Sequence, residues 1–261
     1  MDKHAVEVLE FTKIKEQLRE HVTSNLGSDL VDKLSPKQDQ EYIEDRLEEV
    51  TQAKKILIRE KQPPLGGIRD IRPALKKVAK SGRLEGKELL DIANTVATAR
   101  KLRSYLHNLT DKDEEYTKIV RISKQISIFK ELERKINQAI GNQGNVKDSA
   151  SKKLNNLRRK IRHTSNQVKN KLNSILNSNK YQSYIQESVV TIRDDRYVIP
   201  IKSANQSDFP GIVHDKSASG QTVFIEPMPV VELNNNLSQL QSEEEQEIKR
   251  ILEELTAAVG D

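Results

Sequence analysis

Apolar residues recur at three- and four-residue steps through most of this chain, the spacing of amphipathic helices. Val8, Phe11, Ile14 and Leu18, then Leu26, Leu30 and Leu34, give two short helical patterns over 5–34, closed by Ser35-Pro36. Asp39 is placed to cap a helix over 40–60, with Ile43, Leu47, Val50, Lys54 and Leu57 along one side. Pro63-Pro64 and Gly66-Gly67 mark a loop. Pro73 suits the first turn of a helix over 73–80, which Ser81-Gly82 ends, and another follows over 87–108. After a break at Asp111–Asp113, Ile119, Ile122, Ile126, Phe129, Leu132, Ile136 and Ile140 predict one further helix. Beyond the 141–145 turn, Ser149 or Ser151 caps a long helix over 149–178. Leu154, Ile161, Val168 and Ile175 recur there every seven residues, with Leu157 and Thr164 at intervening seam positions. At 188–228 the period changes. Four short strands are expected, 188–193, 197–202, 210–214 and 221–226, and so small a sheet needs helices as its base. From 229 onward Val231, Leu233, Leu237, Leu240, Ile248, Ile251 and Leu255 predict a second long helix that returns antiparallel to the first.

Composition agrees with long exposed helices. Of 261 residues 32% are charged and only 4% aromatic, with no Trp, which argues against one thick core. The absence of Cys excludes disulfides, thiolate chemistry and zinc–cysteine sites. No apolar run approaches 18 residues and the start lacks a signal-peptide core, so a cytoplasmic protein with no membrane partner is expected.

The charges are segregated. No acid stands between Ser149 and Gln186, a stretch holding Lys152, Lys153, Arg158, Arg159, Lys160, Arg162, Lys169, Lys171 and Lys180. The segment 229–261 carries eight acids against Lys249 and Arg250. The two helices can pair through these charges and fix their register. Equally, part of the basic face, Arg158, Arg159, Arg162 and Lys169, can meet a nucleic-acid backbone. Arg193, Arg196, Lys202 and Lys216, in or beside the hairpin loops, are further donors for phosphate oxygens, although Asp194, Asp195, Asp208 and Asp215 offset them.

Catalytic motifs are missing. Gly82–Lys87 resembles a phosphate loop, but it is one residue short and Glu88 stands where Ser or Thr must reach magnesium, so it reads as an interhelical turn. His214, Asp215 and Ser217 lack any sign of an oriented base or oxyanion hole. His4, His21, His107, His163 and His214 show no ligand spacing, so no metal and no cofactor is expected in this chain, and no enzymatic activity.

Four stretches, QPPLGGIRDIRP (62–73), VTIRDDRYVIPIK (190–202), PGIVHDKSASGQTVFIEP (210–227) and VVELNNNL (230–237), resemble the second bacterial MutS-like family, the MutS-Two proteins, in order along the whole chain. The resemblance implies a mainly α fold: a helical bundle core (1–147) and two long antiparallel lever helices (148–187 descending, 229–261 ascending). Between the levers it implies a small four-stranded antiparallel β clamp (188–228). It also implies an N-terminal portion of a longer protein, continuing into a dimerising ATPase domain that would hold ATP and magnesium, and usually an Smr endonuclease domain. Family members are associated with branched DNA and suppression of recombination, and with stalled ribosomes.

Two functions compete on these grounds. One is a non-catalytic nucleic-acid clamp that grips branched DNA or ribosomal RNA through phosphates. The other is a structural lever and interaction scaffold transmitting ATP-driven motion, with binding supplied elsewhere and a homodimer in the full-length protein.

Overall fold

The computed structural model describes residues 7–22, 24–109 and 114–261; His4 and the Asp111–Asp113 break lie outside them. The fold is mainly α with one small four-stranded antiparallel sheet, as expected. Its residues group into two compact units, Met1–Lys147 with Leu252–Asp261, and Asp148–Ile251.

The first unit is built from helices α1 (Phe11–Glu20), α2 (Asn25–Lys33), α3 (Gln40–Arg59), α4 (Arg72–Ala79), α5 (Gly86–His107), α6 (Thr117–Lys124) and α7 (Lys130–Ala139). Local chemistry sets the ends. The Asp39 carboxylate accepts from Tyr42 N at 3.1 Å and caps α3. Pro73 sits in the first turn of α4. Gly82–Lys87 joins α4 to α5, and Glu88 reaches back to the Glu85 amide at 2.7 Å. Gly86 must be glycine for space, since a Cβ there would stand 1.8 Å from the Gly144 carbonyl oxygen.

The stripe from Ile119 to Ile140 is two helices and not one. The α6 helix ends at Lys124 and α7 starts at Lys130. Gln125–Phe129 combines β-branched Ile126 and Ile128 with Ser127, all weaker helix formers than alanine or leucine. Arg103 Nη1 donates to the freed Ile126 carbonyl at 2.8 Å. Glu131 and Glu133 then favour a new N-terminus. The break lets α5 pack against both α6 and α7, with Arg100 holding Glu133 through two bonds of 2.9 and 3.0 Å. Ile56 of α3, Leu106, Leu109, Tyr116 and Val120 form one buried cluster of this unit.

The second unit holds α8 (Lys152–Leu176), a four-stranded sheet and most of α9 (Met228–Gly260). Ser151, one of the two expected caps, accepts from Leu154 N at 2.9 Å. The strands are β1 (Thr191–Arg193), β2 (Arg196–Lys202), β3 (Gly211–Lys216) and β4 (Thr222–Pro227), in the order β1-β2-β4-β3, all antiparallel. Strand β1 is shorter than the expected 188–193. Pairing with β2 resumes only farther back, where Gln186 N donates to the Pro200 carbonyl at 2.9 Å. The sheet packs its inner face, Ile199, Ile201, Val223 and Ile225, on the end of α8 (Val168, Leu172, Ile175, Leu176) and the start of α9 (Val230).

The β1–β2 hairpin turns through Asp194 and Asp195 with φ of 48° and 60°, the two positive angles of a type I′ loop. Aspartate tolerates this region better than most residues. Asp195→Val is therefore expected to destabilise the unit by about 1–2 kcal/mol, while Asp195→Gly stays neutral or gains slightly. Thermal melts of the two variants check this.

Candidate nucleic-acid interface

Helix α8 buries Leu154, Leu157, Thr164, Val168, Leu172, Ile175 and Leu176 along one seam. Helix α9 answers with Val230, Asn234, Leu237, Leu240, Glu247 and Ile251. The two run antiparallel, since Ser151 meets Glu247 whereas Arg158, farther along α8, meets Glu244 nearer the start of α9.

This phase decides where each cation points. Successive residues of a helix are about 100° apart, so neighbouring arginines do not share a face. Arg158 turns inward. Its Nε donates to Glu244 at 2.6 Å and its Nη1 to Asp148 at 2.6 Å, with only 21% of the side chain exposed. Burial pulls its guanidinium down, and the two carboxylates outweigh that, holding it above the usual range. The Arg158 bond is also the main reason that the Asp148 carboxyl is held low. Arg159 is exposed and donates to Asn156 Oδ1 at 3.1 Å. Arg162 is mostly exposed, 3.4 Å from Asp148. Lys169 is exposed, with its ammonium 5.6 Å from the centre of the Tyr197 ring. The structure thus turns Arg158 inward and Arg159 outward, leaves Lys169 exposed, and lets exposed Arg162, one turn from Arg158, share its Asp148 partner.

Glu247 closes the same end of the helix pair. It is 2% exposed and accepts from Ser151 Oγ at 2.8 Å and from Arg250 at 2.7 and 3.1 Å, with Lys153 at 3.6 Å. The Arg250 bond is the first cause that lowers its carboxyl to about 2, against a desolvation effect in the other direction. A depressed carboxyl stabilises the fold above its unfolded value near 4.5, and that contribution disappears as pH falls toward 2. Melting temperature should therefore drop across that window. Glu247→Gln should start lower at neutral pH and fall less steeply, which a pH series of thermal melts reads directly.

The cations of the sheet are partly engaged. Arg193 Nε donates to Asp215 at 3.0 Å, and its guanidinium lies 4.1 Å from the centre of the Phe224 ring. Arg196 donates to Asn235 at 2.6 Å, with Glu226 at 3.5 Å. Lys202 Nζ donates to the Ser183 carbonyl at 2.9 Å. Lys216 is exposed at the end of β3, beside Asp215 and hence near Arg193. The eight sequence candidates thus fall into an α8 set (Arg159, Lys169 and Arg162, the last also touching Asp148), a sheet end where Arg193 is paired with Asp215 near exposed Lys216, half-buried Arg158 and Arg196 turned toward partners in their own unit, and exposed Lys202 on the Ser183 carbonyl.

Two features escaped a reading based on charge alone. The outward face of α8 also carries Asn155, Asn156, Asn166, Gln167, Asn170 and Asn173, all exposed. With Arg159, Lys160, Lys171 and their neighbours they make a face rich in N–H donors, with no carboxylate contributed by α8 itself. Counting amides with cations on the helical wheel would have found it. The second is Glu226, 1% exposed, which bonds His214 Nε2 and Asn234 Nδ2, each at 2.7 Å. Asn234 also donates to the Tyr197 carbonyl at 3.0 Å, so one polar knot ties β2, β3, β4 and α9. Its sequence signal is an acid inside the mostly apolar strand β4, Thr222–Pro227. Among the described residues no group of three or more His, Asp or Glu is arranged to hold a metal ion, and no helix is long and apolar enough to cross a membrane.

No family model matches the chain. It is 40% identical to the endonuclease MutS2 of Halothermothrix orenii over 98% of its own length and 33% of that protein. It is 43% identical to the endonuclease MutS2 of Ruminiclostridium cellulolyticum, over 98% and 32%. It is 41% identical to that of a Geobacillus species, over 100% and 33%. The chain spans about a third of the length of these curated relatives. At this identity along nearly every residue, the chain belongs to the MutS2 family, as a segment of it.

Proposed function

We propose that this chain is the non-catalytic, nucleic-acid-gripping segment of a MutS2-type protein. It would hold the phosphate backbone of branched DNA or of ribosomal RNA on stalled ribosomes, in the cytoplasm. The observation that carries this is the outward face of α8, which presents guanidinium, ammonium and amide donors with no acid from Ser149 to Gln186. The relatives' name as endonucleases supports a nucleic acid as the partner. Donors of this kind bind phosphate oxygens and not base edges, so sequence preference should be weak and salt dependence steep. ATP and magnesium, the ATPase and Smr nuclease activities, recombination suppression, ribosome quality control and a homodimer belong, in this proposal, to the full-length protein. The test is binding of the chain to a four-way DNA junction and to ribosomes across a salt series. Absence of binding to both at low salt overturns the reading.

The lever-and-scaffold reading has one observation in its favour. Arg158, Glu244 and Glu247 spend their charge on holding α8 to α9. If that is the main role of the basic helix, reversing Arg159, Arg162 and Lys169 leaves nucleic-acid binding unchanged.

A further inference from the structure

Helix α3 is apolar on two opposite faces. One face is used within the first unit, where Ile56 is buried, Gln52 Oε1 accepts from Lys118 N at 2.9 Å, and Asp45 pairs with Lys118. The other face carries Leu47, Val50, Leu57 and Ile58, which are 60, 65, 62 and 70% exposed. Together with half-buried Ile43 and exposed Lys54, the run Ile43, Leu47, Val50, Lys54, Leu57 steps by four, three, four and three residues. That is the seam of a two-stranded coiled coil, with one lysine set into it.

The charges of α3 say what kind of strand would fit. Its first half carries Glu41, Glu44, Asp45, Glu48 and Glu49 against Arg46; its second half carries Lys54, Lys55 and Arg59 and no acid. Asp45, Lys55 and Arg59 also have partners inside the unit, so the exposed Glu41, Glu44, Glu48 and Lys54 carry most of the outward contrast. A helix that is acidic at one end and basic at the other is complementary to itself when reversed and repels itself when parallel. Self-complementarity about a midpoint is the requirement of a two-fold interface between identical chains.

We infer that α3 is a docking surface for a second copy of this chain, its α3 running antiparallel. In the register that sets Leu47 against Leu57 of the second copy and Val50 against Lys54, residues 45–59 of the two helices overlap, the two-fold axis passes at the level of Gln52, and Thr51 of each copy flanks that axis. Arg46 then lies opposite Glu60 of the second copy, a further opposite-charge pair.

The chain has no cysteine, so introduced thiols report without background. Sedimentation equilibrium of the chain should show a concentration-dependent dimer, and Leu47→Glu with Val50→Glu should be monomeric with unchanged helical circular dichroism, because both positions are exposed. Under mild oxidation Thr51→Cys should cross-link to itself, while Tyr42→Cys, far from the axis, should not. A monomer at every concentration overturns the inference. So does a dimer that survives the double substitution, or one in which Tyr42→Cys cross-links in place of Thr51→Cys.

Discussion

Glu226→Ala is expected to destabilise the second unit by about 3 kcal/mol, because it removes a buried carboxylate and strands its partners Asn234, His214 and the Arg196 guanidinium 3.5 Å away. Asn234 would lose one of its two acceptors and His214 its 2.7 Å contact, both in a region nearly closed to water. For a unit of this size that corresponds to a fall in melting temperature of about 15 °C. Glu226→Gln keeps the shape and an acceptor for Asn234, and should lose about 1 kcal/mol. Tyr181, Tyr184 and Tyr197 lie in or against this unit's core, so denaturant titration followed by tyrosine fluorescence reads it. Equal losses for the two variants would mean that the side chain contributes volume and not charge.

The second large effect concerns binding. Reversing Arg159, Arg162 and Lys169 to glutamate should weaken nucleic-acid binding by at least about 100-fold at 0.1 M salt, and lower the slope of log affinity against log salt by about 3 for a DNA duplex. All three are exposed, so the melting temperature should fall by much less than in Arg158→Glu, the loss coming from the 3.4 Å Arg162–Asp148 contact and the Lys169–Tyr197 contact. Arg158→Glu should do the reverse. It places an acid between Asp148 and Glu244, so the helix pair loosens while the salt slope stays the same. A triple variant that binds like the parent removes the α8 face from the interface.

Much of this architecture was legible in the residues, for identifiable reasons. Asp39 and Ser151 are short side chains that satisfy helix amides, and each sits where its helix begins. The seven-residue repeat of α8 fixed its buried seam, and the change to alternating β-branched residues fixed the sheet. Other features depend on tertiary partners. The stripe from Ile119 to Ile140 keeps helical spacing across a gap that is not helical, because Ile126 hands its carbonyl to Arg103 on another helix. Arg158 and Arg159 are one residue apart and alike in type, and only the position of α9 decides which is turned inward. Glu226 looks like any strand acid until Asn234, eight residues on, is known to reach it.

The two outer strands of the sheet have a consequence for crowding. An exposed strand edge is a template on which another chain can add, and Ile212 and Val213 on β3 are sticky enough to invite it. Here β1 offers only three residues, and β3 is interrupted where its register shifts between Val213 and Asp215, then ends in the charged pair Asp215 and Lys216. Neither border offers a straight ladder. Many copies gathered on one polymer could therefore sit shoulder to shoulder without zipping into a fibril, which keeps their association reversible.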